Sequence, residues 1–490
     1  MTDKNVAKNF DVVIVGGGVV GAAIALELSR YNIKTALLEK DSDVGQQTSS
    51  RNSGVSHSGF NYSPGSLRAR LSVRGNEMLF RMTKNLGVEF DNIGKLTVAR
   101  TDEDVKTLER LLDQGKQNGV PDLQIVDAYT IEKIQPGAKG IGALYSPSSS
   151  IVNPYQLTIN MAETALANGV DIYLNTTITG IDHLHDGFSV KAIGQSFTSK
   201  VLINCAGLFA DQICKMLGID DYCVYPCKGE YWILDRAKSG GLHTLVYPTP
   251  RADEPGLGIH LTPTTRGNIM IGPSAEYTSF DDGYSCTADV LGALSTVGHN
   301  MMPGLTTSDF IRHFSGLRPK LTPPEIGGNA DFVIEDRDDI AGFINTVGIE
   351  SPGLTAAPAI AEMILPMVKN HLKLTKKTDW AYLPKAAAKY RNMSDDERIE
   401  AVASDPNYGD IVCRCEQVTR AELITAYNNP LGATSLRSMK MRTGAMMGRC
   451  QSGFCLPKIT SVLEQEFGIS AQDITASGKN TQMFTKLRGK

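Results

Sequence analysis

The sequence predicts an α/β chain of about two to four domains, opening on a nucleotide-binding βαβ unit and closing on a small cysteine-bearing domain. Three observations predict it. A β-branched run, Val12-Val-Ile-Val15, turns through Gly16-Gly-Gly18 into the helix-like stretch Ala22–Ser29. Buried strand-like runs recur at 35–39, 171–175 and 200–207, whereas longer alternating stretches with Pro and Gly turns occupy 89–100, 226–235 and 244–273. Four of the nine cysteines fall in two tight pairs beyond residue 410, a placement that suits a metal site.

Composition narrows the function classes. Hydrophobic residues make up 41% and charged residues 21%, which excludes a disordered or fibrous chain. The 49 Lys+Arg against 53 Asp+Glu leave a net charge of −4, so no global basic field holds a nucleic acid or an anionic membrane. Residues 1–10 carry Asp3, Lys4 and Lys8 and do not form a signal peptide. The uncharged run Val12–Leu26 falls short of the about 20 apolar residues of a spanning helix. With an odd cysteine count and no leader, the expectation is a cytoplasmic protein with reduced thiols, reaching a membrane only through a partner.

At the N-terminus the residue types match their jobs. Gly16 permits the tight turn, Gly18 bares backbone amides toward a pyrophosphate, and Gly21 lets helix and strand approach. The second strand, Thr35–Glu39, ends in a carboxylate eighteen residues beyond Gly21, placed for ribose hydroxyls. The fingerprint alone does not separate NAD from FAD. The polar loop Gln46–Gly59 that follows suits a pyrophosphate and an isoalloxazine better than further βα units would.

Ser50-Arg-Asn-Ser-Gly-Val-Ser-His-Ser-Gly-Phe-Asn-Tyr-Ser-Pro-Gly-Ser-Leu-Arg-Ala-Arg-Leu71 resembles the flavin-facing segment of the D-amino-acid-oxidase-like FAD family, nearest to glycerol-3-phosphate dehydrogenases and L-2-hydroxyglutarate oxidoreductases. Cys227–Tyr231, Gly256–Thr264, Ile271–Pro273, Gly316–Pro319 and Gly348–Thr355 follow in the family's order, so the resemblance covers about the first 370 residues. It implies an α/β FAD-binding Rossmann-like domain (8–88, 150–222, 325–372) interleaved with an α+β antiparallel-sheet substrate domain (89–149, 223–324). It also implies the FAD contacts. Gly16, Gly18, Gly21, Glu39 and Lys40 serve the adenosine diphosphate, and Thr48, Ser49, Asn52, Ser53 and Gly54 line the loop. Ile178 lies by the adenine and Ala206 and Gly207 by the pyrophosphate. Gly348, Ser351, Gly353, Leu354 and Thr355 meet the ring's pyrimidine edge, where the helix beginning at Gly353 offers its positive end.

Oxidising an alcohol with a flavin requires a proton acceptor and, for an acidic substrate, a cation. His57 and His260 are the candidate bases, each with the alternative of a structural histidine satisfied by its surroundings. Arg318 is the candidate anion clamp, its alternative a salt bridge between domains. Lys228 is a second candidate substrate cation, with a solvated turn residue as its alternative. No Ser-His-Asp order, His-Glu-x-x-His helix or Walker loop supports hydrolysis or phosphoryl transfer.

Residues 373–408 are expected to form a linker, and 409–490 a small, mostly helical domain. Cys413-Arg-Cys415 and Cys450-Gln-Ser-Gly-Phe-Cys455 supply four candidate metal ligands. Four cysteines also suit zinc, although zinc ribbons favour C-x2-C knuckles. Val412–Thr419 and Arg442–Cys455 resemble the bacterioferritin-associated-ferredoxin-like [2Fe–2S] domain. Cys205, Cys214, Cys223, Cys227 and Cys286, with Met439, Met441, Met446 and Met447, are assigned to packing. The resemblances together imply an FAD dehydrogenase that oxidises glycerol 3-phosphate to dihydroxyacetone phosphate, with electrons leaving through a [2Fe–2S] cluster to an acceptor protein or quinone-reducing subunit. The alternatives are a 2-hydroxy acid such as L-2-hydroxyglutarate, an amine or imino acid, or a zinc-bearing docking module at the C-terminus. A homo- or hetero-oligomer is compatible with each.

Overall fold

The computed structural model describes residues 7–250, 258–280, 283–302, 304–383 and 389–484. The expectations for residues 1–6 and for Gly256 and Leu257 lie outside them. The chain forms two compact units, one of residues up to 39 and 44–382, the other of 40–43 and 383 onward.

The first unit is built on two large sheets. In the six-stranded one the order is Asp171–Tyr173, Thr35–Leu38, Val12–Val15, Val201–Asn204, Phe343–Val347, Val333–Asp336. All neighbours are parallel except the last pair. Parallel strands need crossovers that cover both faces, which is why Val12–Val15 is apolar and buried at every position. Asp171–Tyr173, expected to be buried, is half-exposed because it forms the sheet edge. The helix Val19–Leu28 is buried at nine of its ten positions. Its approach to the strand depends on Gly21, where a Cβ would stand 2.0 Å from the Gly16 carbonyl oxygen. Gly21→Ala is therefore expected to destabilise the unit by about 1–3 kcal/mol, read as a lower Tm and weaker FAD retention.

The second sheet has nine strands. Tyr225–Leu234 pairs along its length with Phe310–Lys320 and on its other side with Ile269–Gly272 and Glu276–Tyr277. Beyond them lie His260–Pro263, Leu245–Pro248, Lys95–Ala99, Gly142–Ser146 and Gln124–Asp127. The antiparallel expectation holds with one correction, since Leu245–Pro248 runs parallel to Lys95–Ala99. The stretch 89–100 also divides, with Phe90–Asp91 pairing Ser150–Val152 in a separate small sheet. The strands of the two large sheets alternate along the chain, so the domains are interleaved as expected. No helix among the described residues is long and apolar enough to cross a membrane.

The linker expectation is corrected at both ends. Thr375 and Lys377 exchange backbone hydrogen bonds with Asn32 and Arg30, and the Trp380 indole donates to Ser29 Oγ, so this stretch packs into the first unit. In the second unit Ser394 and Glu397 form a capping box that starts a helix, Asp395–Ser404. Its other described elements are a ribbon, Ile411–Cys413 with Val418–Thr419, three α-helices, Arg420–Tyr427, Leu436–Thr443 and Leu456–Phe467, and short 3-10 turns. Met439 and Met446 are buried in its core.

Candidate functional site

A cavity of about 560 Å³ opens in the first unit, within the range of cofactor and ligand pockets. Its walls come from the N-terminus of Val19–Leu28, the loop that follows residue 48, the start of the helix Gly353–His371 and the inner face of the large sheet.

At the helix end the backbone is prepared for an anion. Gly18 has no side chain to cap the helix, so Ser49 Oγ accepts from Val19 N–H at 2.8 Å. Glu39 Oε2 accepts from Gly17 N–H at 2.7 Å, tying the second strand to the glycine turn. Gly207 holds φ at +56° with nothing within 4 Å of where a Cβ would stand, and it lines the cavity. A helix N-terminus with a side-chain-free N-cap, a hydroxyl-rich loop and a wall kept open by glycine fit a dinucleotide's pyrophosphate.

On the sheet side stand the ionisable groups. His260 Nδ1 lies 2.8 Å from the Gly258 carbonyl oxygen. A carbonyl only accepts, so Nδ1 carries the proton and Nε2 is a bare acceptor. That nitrogen is buried and has no hydrogen-bond partner among the described residues. Burial holds the ring's pKa down at about 3, with Lys95 and Arg318 adding repulsion. His57 is likewise pushed well below the usual histidine range, by burial first and then by Lys95, His260 and Arg68. Its backbone N–H donates to Thr355 Oγ1 at 3.0 Å, which fixes the flavin loop to the helix Gly353–His371.

Arg318 lies across Gly229, where a Cβ would stand 2.8 Å from its guanidinium. It donates to the Ser274 carbonyl at 3.2 Å and touches Cys227 Sγ at 3.9 Å. No carboxylate pairs with it among the described residues, which removes the interdomain salt bridge as its explanation. Arg68 and Lys320, by contrast, share Glu350 at 3.6 and 3.3 Å.

Of the expected residues, His57, His260 and Arg318 share this cavity with Gly18, Thr48, Ser49, Asn52 and Ser53. Gly207, Ser351, Gly353 and Leu354 line it too. Gly16, Gly21 and Glu39 support the wall from behind. Gly54, Ile178, Ala206, Gly348 and Thr355 do not line it, and Lys40 pairs with Asp41 at 2.9 Å. Lys228 is corrected outright. Side chains alternate along a strand, so Gly229 and Tyr231 face the cavity while Lys228 points the other way and sits 3.8 Å from Glu230, buried. Tyr247, Tyr231 and Lys95 were missed. Lys95, Thr97 and Ala99 look like a solvent face in sequence, yet all three are buried.

In the second unit the four thiols gather in one place, with Cys413 acting on Cys415 and Cys450 on Cys455. Cys413 contacts Cys455 and Cys415 contacts Cys450, while among the described residues no three of His, Cys, Asp and Glu converge on one metal ion. Contact with Cys455 pulls the Cys413 thiol down to about 6. Four cysteines gathered in one place fit an iron–sulfur cluster, whose irons are held by Cys thiolates.

The comparisons with known proteins agree with this division. A family model described as FAD dependent oxidoreductase matches residues 11–365, and one described as BFD-like [2Fe-2S] binding domain matches 411–465, which sets the zinc alternative aside. The chain is 36% identical to a glycerol 3-phosphate dehydrogenase of Caloramator mitchellensis over 97% of its own length and 98% of the relative's. It is 31% identical to a mitochondrial L-2-hydroxyglutarate dehydrogenase of Caenorhabditis elegans, over 74% of this chain and 94% of that one. Among solved structures, the dithionite-reduced L-alpha-glycerophosphate oxidase of Mycoplasma pneumoniae with FAD bound superposes with a TM-score of 0.72 at 30% identity, covering 78% of this chain and all of that one.

Proposed function

We propose, for a chain that belongs to the FAD dependent oxidoreductase family and carries a BFD-like [2Fe–2S] binding domain, that it dehydrogenates the secondary alcohol of a small anionic substrate. The first candidate is glycerol 3-phosphate, giving dihydroxyacetone phosphate. One observation carries the reading: a buried, proton-free imidazole nitrogen, His260 Nε2, shares a cavity with a guanidinium that no carboxylate neutralises, Arg318. The nitrogen asks for a donor, which an alcohol O–H supplies, and Arg318 asks for an anion. When bound, FAD supplies the two-electron acceptor for the carbinol carbon and the cluster a one-electron outlet toward an acceptor protein or quinone-reducing subunit. The residues do the rest. Arg318 anchors the acidic tail, whose negative charge offsets the Lys95 and Arg318 repulsion that adds to burial in keeping the imidazole proton-free; His260 then takes the hydroxyl proton, and His57, tied to Thr355, supports the flavin-side wall.

The phosphate substrate is favoured because a relative spanning both units is a glycerol 3-phosphate dehydrogenase, whereas the worm L-2-hydroxyglutarate dehydrogenase matches 74% of the chain. The cavity chemistry suits either. The test is anaerobic bleaching of the flavin band near about 450 nm by glycerol 3-phosphate, L-2-hydroxyglutarate and imino acids in turn. Glycerol 3-phosphate is expected to bleach it within one turnover. Bleaching by L-2-hydroxyglutarate alone transfers the reading to that acid, and bleaching by an imino acid alone ends the alcohol mechanism.

A further inference from the structure

Behind the cavity wall lies a lysine with no counter-ion among the described residues. Lys95 is 2% exposed, and its Nζ sits 3.8 Å from the centre of the Tyr247 ring and 5.0 Å from that of Phe60. The His260 imidazole stacks on the same tyrosine at 3.7 Å, with 18° between the planes. Two groups that close to one ring centre cannot share a face, so the ammonium covers one side of Tyr247 and the imidazole the other. Sheet order produces this stack, because Lys95–Ala99, Leu245–Pro248 and His260–Pro263 are consecutive strands.

We propose that Lys95 is the titratable half of the anion site: pressed against the back of Tyr247, it holds a proton when an anion occupies the Arg318 side of the cavity and releases it to solvent when the anion leaves. The inference rests on reading Arg318 as the anion clamp. The ammonium and the imidazole flank one ring, 3.8 and 3.7 Å from its centre, so an anion on the His260 side of the cavity is separated from the Lys95 charge by the tyrosine wall alone. The groups facing this region are His57 and Tyr62 from the flavin loop, Arg68 from the helix Leu67–Leu86, Tyr231, Tyr247, His260, Arg318 and Lys320. The two carboxylates among the described residues that line the same cavity are already engaged, Glu350 with Arg68 and Lys320 and Asp331 with the backbone N–H groups of Leu67 and Arg68. Burial alone draws the Lys95 pKa down to about 7, so an empty cavity leaves it half-charged near neutrality. An arriving anion raises that value and draws one proton onto Nζ, with no other bond changed. Lys95 is thus a positioning residue whose charge acts through the tyrosine wall, favouring a dianion over a neutral alcohol.

Sulfate tests it, because it stays a dianion across the range and needs no turnover. Its Kd for the FAD-loaded full chain is followed by perturbation of the flavin spectrum between pH 6 and 8.5. The wild type is expected to bind sulfate about tenfold more weakly at pH 8.5 than at pH 6. Lys95→Met is expected to bind it weakly and equally at both, and Lys95→Arg tightly and equally at both. A flat wild-type profile, or a slope that survives in Lys95→Met, overturns the proposal. Arg318→Met separates the two ideas. If it leaves sulfate binding untouched, the clamp reading fails and takes the proposal with it; if it abolishes binding while the wild-type slope is absent, the clamp stands and the role of Lys95 falls. Lys95→Met removes a buried charge without an ion pair, so its Tm is expected to be no lower than that of the wild type.

Discussion

His260→Gln is expected to slow flavin reduction by the alcohol substrate about 10²- to 10⁴-fold, the usual contribution of a positioned general base, with FAD still bound. The reasoning starts from one hydrogen bond. Because Gly258 O fixes the proton on Nδ1, Nε2 has a basic lone pair with no partner among the described residues, and it is that basicity that the change removes. Glutamine keeps much of the volume and places a neutral, non-basic amide at the Nε2 end, so it can accept the substrate's hydrogen bond but cannot take its proton. Single-turnover bleaching isolates this step, and the loss should fall on its rate at saturating substrate rather than on KM. The variant also carries a stability signature of opposite sign. The unfolded chain takes a proton on this ring below about pH 6.5, whereas the folded chain refuses it until about 3. Unfolding therefore binds more protons across that window, and the wild type loses stability as pH falls through it. His260→Gln is expected to withstand acid better while being nearly inactive. A rate within threefold of the wild type would assign the proton to His57 or to solvent.

What could be read from the chain, and what could not, divides along physical lines. Gly16 and Gly21 were legible because their constraint is local: a +105° φ at one and a carbonyl 2.0 Å from the missing Cβ at the other admit no other residue comfortably. The cysteine pairs were legible because few side chains compete for iron. Lys228 failed for a reason of register, since strand alternation puts one residue inward and its neighbour outward and nothing local says which. Lys95 escaped for a related reason. An alternating Lys-x-Thr-x-Ala pattern marks a solvent face only if the sheet is covered on one side, and here the flavin loop, through Phe60, closes the other. The parallel pairing of Leu245–Pro248 with Lys95–Ala99 joins segments 150 residues apart, and period-two patterning is the same for either direction. The stretch 373–382 lacks an apolar run of its own and is held by backbone bonds to residues 30–32, an attachment that composition does not reveal.

Cys450→Ser is expected to empty the second unit of iron and to abolish turnover with a one-electron protein acceptor, while alcohol-driven bleaching of the flavin proceeds at the wild-type rate. A serine hydroxyl stays protonated where a thiol ionises, so it is a poor ligand for iron. The neighbouring geometry leaves no substitute. Cys450 meets Cys415 across two loops packed so closely that a Cβ at Gly448 would stand 2.3 Å from Cys415 Cβ. Cys413 is already taken by Cys455. The flavin cavity is lined entirely by residues of the first unit, from Gly18 to Leu354, so its chemistry should not register the loss. Cys223→Ser provides the control, for Cys223 is exposed and outside both pairs, and the variant should match the wild type in iron, bleaching and turnover. The discriminating result is iron gone with turnover to the acceptor intact. That outcome would mean electrons leave the flavin directly, and the second unit would then have to be understood as a docking element. Bleaching and turnover lost together would point instead to collapse of the fold, which the flavin spectrum of the variant detects independently.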